Sequence, residues 1–298
     1  LPGAARRRRS GHLILVERLR LLACEVEIRT NLAEFAGRLR YLVQHAEQDH
    51  PVTDHAVFEV MHLDGSYVVR EDGELVANDA KAETIFDTLF QNIHRRAFAA
   101  LPDDIRIHAA SGMHRGRMFL LVGTPFSGKT TLTLQMLFQG VEMVGDELVM
   151  LREGKAAAFP RRFYPRDSSY AVLPGLEFAA ADQPIVFDGQ GAKRVAVDPT
   201  TFARPWRVAR APVATVYYLD PDFSGPTRIT ALPKIETVRL VMEQCTPPLS
   251  HRKGWIADLC AMVNGAATRL LTVGAPGAAA IAIRNDLRQS DTLTNMAG

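Results

Sequence analysis

An α/β fold with a mixed sheet, preceded by a smaller α+β domain, is what the sequence predicts. Three observations carry that expectation. Strand-type and helix-type apolar patterns alternate from about residue 101 onward, with many turn signals and no repeated βαβ unit. A glycine-lysine motif at 123–130 sits between an apolar strand and a helical stretch. The length, 298 residues, exceeds one average domain of about 150 residues. The expected division is a disordered basic tail over 1–12, an α+β domain over 13–100 and the larger α/β domain over 101–298.

Composition sets the outer limits. Hydrophobic residues make up 47% and charged residues 23%, enough apolar surface for a packed core. Net charge is +2, from 35 basic and 33 acidic residues, so global charge gives no argument for a nucleic-acid partner, and none is expected. The three cysteines, Cys24, Cys245 and Cys260, are scattered and form no CxxC pair, which argues for reduced thiols and a cytoplasmic location. No apolar run reaches the roughly 20 residues of a membrane span. The longest, Leu13 to Ala23, is broken by Glu17, Arg18 and Arg20. Arg6 to Arg9 read as part of a disordered tail, with a nucleic-acid arm as the weaker alternative because no aromatics are interleaved.

Taken in order, 13–50 reads mainly helical, with Leu32, Phe35, Leu39, Leu42 and Val43 on one face. A β-meander follows: Val57, Phe58 and Val60, the turn Asp64-Gly65, Tyr67 to Val69, and the turn Asp72-Gly73. Asn78 or Asp79 caps a helix whose buried stripe is Ile85, Leu89, Phe90, Ile93 and Phe98, closed by Pro102. Ile105 to Ala109 and Met118 to Val122 read as strands around a polar turn at 111–117. Val213 to Leu219 is a strand. Ile235 to Met242 and Trp255 to Val263 are helices, and Leu270 to Val273 and Ala280 to Ile283 are closing strands.

Residues 123–130 read Gly-Thr-Pro-Phe-Ser-Gly-Lys-Thr, a full match to GxxxxGK[ST]. Gly123 and Gly128 let the backbone curl so that the N–H groups of Thr124, Phe126, Ser127 and the following residues face phosphate oxygens, with Pro125 part of the same loop. The helix beginning near Lys129 adds its positive end, Lys129 a full charge, and Thr130 a hydroxyl suited to Mg²⁺; Thr131 continues the cradle. Val141 to Val144 then leads to Asp146-Glu147, 17 residues after Lys129, a spacing that returns the acids beside the loop. One carboxylate can hold the metal while the other acts as a base, Asp146 on an incoming hydroxyl. No NKxD motif follows, which argues against a Ras-like GTPase.

This stretch resembles the kinase domain of HPr kinase/phosphorylase and its relatives, whose nucleotide-binding fold is shared with phosphoenolpyruvate carboxykinase. The resemblance runs from His108 through Gly123 to Thr130, then Gly140 and Asp146-Glu147, clearly over 105–151 and weakly to about 285. It implies ATP and Mg²⁺ as cofactors, Lys129 and Thr130 as phosphate and metal ligands, Glu147 as the second acid beside the metal, and Asp146 as general base on a serine hydroxyl. His108 matches the family's active-site histidine; as a residue alone it reads equally well as a core histidine at a strand end. The implied partner is a protein or peptide acceptor bearing serine, and a homo-oligomer is consistent with the family.

The family's LEIRGLG-type signature is absent. In its place stands Phe159-Pro160-Arg161-Arg162-Phe163-Tyr164-Pro165-Arg166, so the resemblance does not carry the HPr substrate or phosphorolysis. Arg161, Arg162 and Arg166 read either as a phosphate or substrate clamp, with Arg162 the candidate beside the catalytic acids, or as a solvated basic loop. Arg204, Arg207 and Arg210 around Trp206 form a second basic cluster. His45, His50 and His55, near Glu34, Glu47 and Asp49, are too poorly spaced for a metal set.

Overall fold

A computed structural model describes residues 7–9, 12–42, 46–181, 183, 185–187, 193–202 and 205–296. The chain is a mixed α/β protein built on several sheets. Its first sheet has six strands in the order Arg7–Arg9, His12–Leu21, Cys24–Thr30, Asp54–Leu63, Ser66–Glu71 and Glu74–Asp79. All neighbours are antiparallel except Cys24–Thr30 with Asp54–Leu63, which are parallel and joined across the helix Ala33–Leu42.

The helical expectation for 13–30 is corrected here. These residues form a hairpin, and Cys24, Val26, Ile28 and Thr30 are buried at every second position, the period of a half-buried strand. Leucine, arginine and glutamate favour helix locally, but pairing on both sides overrides that preference. The helical face Phe35, Leu39 and Leu42 is buried as expected, while Val43 lies outside the described residues. The tail expectation also changes, since Arg7–Arg9 pair antiparallel with His12–Ile14.

Both predicted turns are present. Asp64-Gly65 and Asp72-Gly73 carry positive φ at both residues, the geometry that matches the twist of flanking strands. The helix after them is Ala82–Ala99, with Ile85, Phe86, Leu89, Ile93 and Ala97 buried. Lys81, not Asn78 or Asp79, is its N-cap; the Asp79 carboxylate instead accepts from the Lys81 amide at 2.7 Å.

The larger sheet centres on Arg117–Val122. It pairs antiparallel with Ala109–His114 and parallel with Ala211–Pro221, which pairs parallel with Ala267–Val273. Glu142–Gly145 lies antiparallel to Ala109–His114 on the other side. Four strands therefore run the same way and end on the same edge, at Val122, Gly145, Pro221 and Val273. The polar turn expected at 111–117 shrinks to Arg115-Gly116, because Ser111 to His114 belong to a strand whose first residues are buried. The closing strand expected at Ala280–Ile283 is instead part of the helix Pro276–Met296. Ala279, Ala280, Ile283 and Leu287 are buried at helical spacing and pack with Leu134, Met136 and Leu137.

Apart from the short parallel pair Glu47–Gln48 with Arg207–Val208, strands before residue 80 and after residue 104 belong to different sheets, but one apolar cluster runs from Leu19 through Phe86 and Phe159 to Ala266. Among the described residues no helix is long and apolar enough to cross a membrane.

Candidate functional site

The loop after Arg117–Val122 turns back at Gly123 and enters the helix Lys129–Phe138 through Gly128, at φ +87°. Gly128 must be left-handed there, a conformation costly for other residues. Gly123 is needed for a different reason: a Cβ would lie 2.7 Å from Ser127 Oγ and 3.2 Å from Leu219 Cβ. Lys129 folds back and donates to the carbonyls of Gly123 at 2.7 Å and Thr124 at 3.0 Å. It is buried, and burial draws its pKa down to about 8 against the pull of Glu147 and Asp146.

The acids arrive from Glu142–Gly145, whose end is level with the loop. The Ala109 amide donates to the Glu147 carbonyl at 3.1 Å, and Ala109 pairs with Val122. Asp146 is buried; burial first, and Glu147 second, hold its carboxyl well above the usual carboxylate range. The Tyr164 amide, donating to Oδ2 at 3.4 Å, and the Thr130 side chain pull the other way. Oδ1 of Asp146 is buried without a hydrogen-bond partner.

These groups line one cavity of about 920 Å³ at the carboxyl edge of the parallel strands, the usual place for a ligand in such sheets. From the predicted set, Pro125, Phe126, Gly128, Lys129, Thr130, Thr131, Asp146, Glu147 and His108 line it. Gly123 and Ser127, both buried, and Thr124, exposed, do not line it. Thr131 also makes a 2.8 Å hydroxyl contact with Ser169. His108 Nδ1 donates to the Glu147 carbonyl at 3.0 Å, and burial, then Lys129, lowers its pKa, so a neutral ring buttresses the acid-bearing turn.

The three arginines separate. Arg161 reaches the cavity: its guanidinium sits 2.5 Å from Glu147 Oε2 and 4.4 Å from the Tyr164 ring centre. Burial opposes its charge, yet Tyr164, Glu147 and Asp146 hold its pKa up. Arg166 also lines the cavity, stacked 4.3 Å over Phe126. Arg162, the arginine singled out from sequence, does not line it. It is buried away from the loop against Asp198 at 3.5 Å and donates to Gln183 and the Ala196 carbonyl. Alternation along an extended segment sends neighbours to opposite sides, so spacing alone could not choose between Arg161 and Arg162.

The second basic cluster is dispersed. Arg207 pairs with Glu47 at 2.9 Å, Arg210 binds Asp104, Trp206 is buried and donates to the Val144 carbonyl, and Arg204 lies outside the described residues. His55 pairs with Glu25 at 3.3 Å, and among the described residues no three His, Cys, Asp or Glu side chains form a metal cluster.

Sequence reading missed the far walls. Phe86, Asp87 and Phe90 enter from the helix Ala82–Ala99, and Phe223 and the segment 273–276 from the ends of the other parallel strands. Phe90, on the buried stripe expected from sequence, meets Arg161 at 5.4 Å from the ring centre, a long-range contact. Position within two residues of a strand end is the one local signal that points to Phe223 and Gly274.

No family model matches the sequence, and no curated protein matches it. Among solved structures, the Hpr(Ser) kinase/phosphatase from Coxiella burnetii aligns with 64% of this chain and 96% of its own length, at 12% identity and a TM-score of 0.31. That similarity is slight, and the site rests on its own geometry.

Proposed function

We propose that the chain is an ATP- and Mg²⁺-dependent kinase that transfers the γ-phosphoryl group to a serine hydroxyl of a protein or peptide. The observation that carries this reading is the convergence of Lys129, Thr130, Asp146 and Glu147 on one cavity at the mouth of a glycine-framed loop. The residues fit the groups it would take. Gly128 is left-handed and Gly123 has no room for a Cβ, so the loop backbone is held in a tight turn, which suits a phosphate cradle. The unpartnered Oδ1 of Asp146, buried beside the second carboxylate of Glu147, leaves a divalent cation as the natural missing charge. Thr130 and Glu147, with Asp146, would hold Mg²⁺, which when bound neutralises phosphate charge.

The chain's own residues account for the remaining tasks. Lys129 and the loop amides orient the terminal phosphates. Asp146 is held to accept the proton of the incoming hydroxyl. Arg161, fixed by Glu147 and Tyr164, offers a rigid fork beside the acids for charge that spreads onto the transferring group.

The test uses γ-labelled ATP with candidate acceptors and a separate nucleotide-binding measurement. Serine-bound label that disappears in Asp146→Asn, with ATP still bound, is the expected result. Lys129→Ala should weaken ATP binding by about 10- to 150-fold, the scale of a lost charged hydrogen bond of about 1.5–3 kcal/mol. Binding without transfer to any acceptor would instead identify a nucleotide switch, and label on a metabolite a small-molecule kinase.

A further inference from the structure

We propose that Ser168 is an intramolecular phosphoryl acceptor, so that the chain phosphorylates its own cavity wall; this rests on the kinase reading above. The segment 164–169 is held at both ends on the reaction centre. At one end the Tyr164 amide donates to Oδ2 of Asp146 at 3.4 Å. At the other the Ser169 hydroxyl lies 2.8 Å from that of Thr131, the residue after Thr130. Ser169 is buried and its hydroxyl is engaged. Ser168, next to it, is exposed and lines the same cavity as Lys129, Thr130, Asp146 and Arg166.

A hydroxyl tethered in this way does not have to be captured from solution, and that removes most of the entropic cost of bringing acceptor and donor together. The step balances with ATP as the donor. A bond forms between Ser168 Oγ and the γ-phosphorus while the bond to the β–γ bridging oxygen breaks. ADP leaves with that electron pair, and the hydroxyl proton passes to Asp146 and then to solvent. The product carries a charge of about −1.5 to −2. Arg166, two positions earlier and on the same cavity wall, can take it by bidentate hydrogen bonding. A phosphate held there fills space that the nucleotide's phosphates need, so the modified chain binds Mg·ATP more weakly.

The experiment incubates the full chain with Mg·ATP and no added acceptor, then maps phosphate by peptide mass spectrometry. Phosphate on Ser168 is expected, and it is lost in Ser168→Ala. Its rate constant should not change with chain concentration. Release of γ-phosphate, or its transfer elsewhere, with Ser168 unmodified would overturn the proposal and leave the kinase reading standing. A rate proportional to chain concentration would overturn it as well, because one chain would then be modifying another. ATP that binds and is never cleaved or transferred, even with protein and peptide acceptors present, would overturn the kinase reading and this proposal together.

Discussion

Arg161 and Arg162 are neighbours in sequence with separate tasks in the structure. Both side chains of the Arg162–Asp198 pair are about 6% exposed, so deleting one partner strands a buried charge. Arg162→Ala should therefore destabilise the fold by about 3–5 kcal/mol in a urea titration, whereas Arg161→Ala should act mainly on activity. His94 offers a second residue-level test. Its Nδ1 donates to the Phe90 carbonyl at 2.7 Å, its Nε2 is buried without a partner, and burial lowers its pKa from 6.5 to about 4. Between those values the unfolded chain binds the proton and the folded chain does not. The stability that the neutral ring contributes is thus complete above pH 6.5 and is lost as pH falls toward 4, with a slope of up to about 1.4 kcal/mol per pH unit. Chemical denaturation across that window should show this dependence, and His94→Gln should flatten it.

At the scale of elements, the strand Glu142–Gly145 exists to deliver Asp146. Gly145 permits this because a Cβ there would lie 2.9 Å from Ala158 Cβ and 3.2 Å from Ser111 Oγ. Gly145→Ala should cost about 1–3 kcal/mol by overpacking and should reduce activity more than Mg·ATP affinity, since the strand end must shift; thermal unfolding and steady-state kinetics check the two parts. Elements with a strong local signal were readable in advance. The loop at 123–130, the turns at Asp64-Gly65 and Asp72-Gly73 and the strand around Val213 all rest on glycine conformation or on a dense apolar run. The hairpin at 12–30 and the terminal helix from Pro276 were misread for the converse reason. Leucine- and alanine-rich stretches fit either period, and the choice falls to whichever surface lies opposite.

At the scale of the whole molecule, the N-terminal region is part of the site. Phe86, Asp87 and Phe90 wall the cavity, and the helix that carries them is joined to the larger sheet through Phe159. The Phe159 ring lies 5.0 Å from Phe98 and 5.4 Å from His94, and the residue is 2% exposed. Phe159→Ala should destabilise the protein by about 3–5 kcal/mol. Because the apolar cluster is continuous from Leu19 to Ala266, near-ultraviolet circular dichroism and calorimetry should report one shared transition rather than two.

The sequence by itself determined the loop, its lysine, the acids 17 residues on and the α/β class. Each of these depends on residues close together in the chain, where glycine geometry and apolar period are local properties. Only the tertiary structure decided which arginine faces the cavity, that His108 buttresses the Glu147 carbonyl, and that a helix from the first hundred residues closes the site. Those outcomes depend on which strand edges pair and where their ends meet, contacts between residues far apart in sequence that no local pattern encodes.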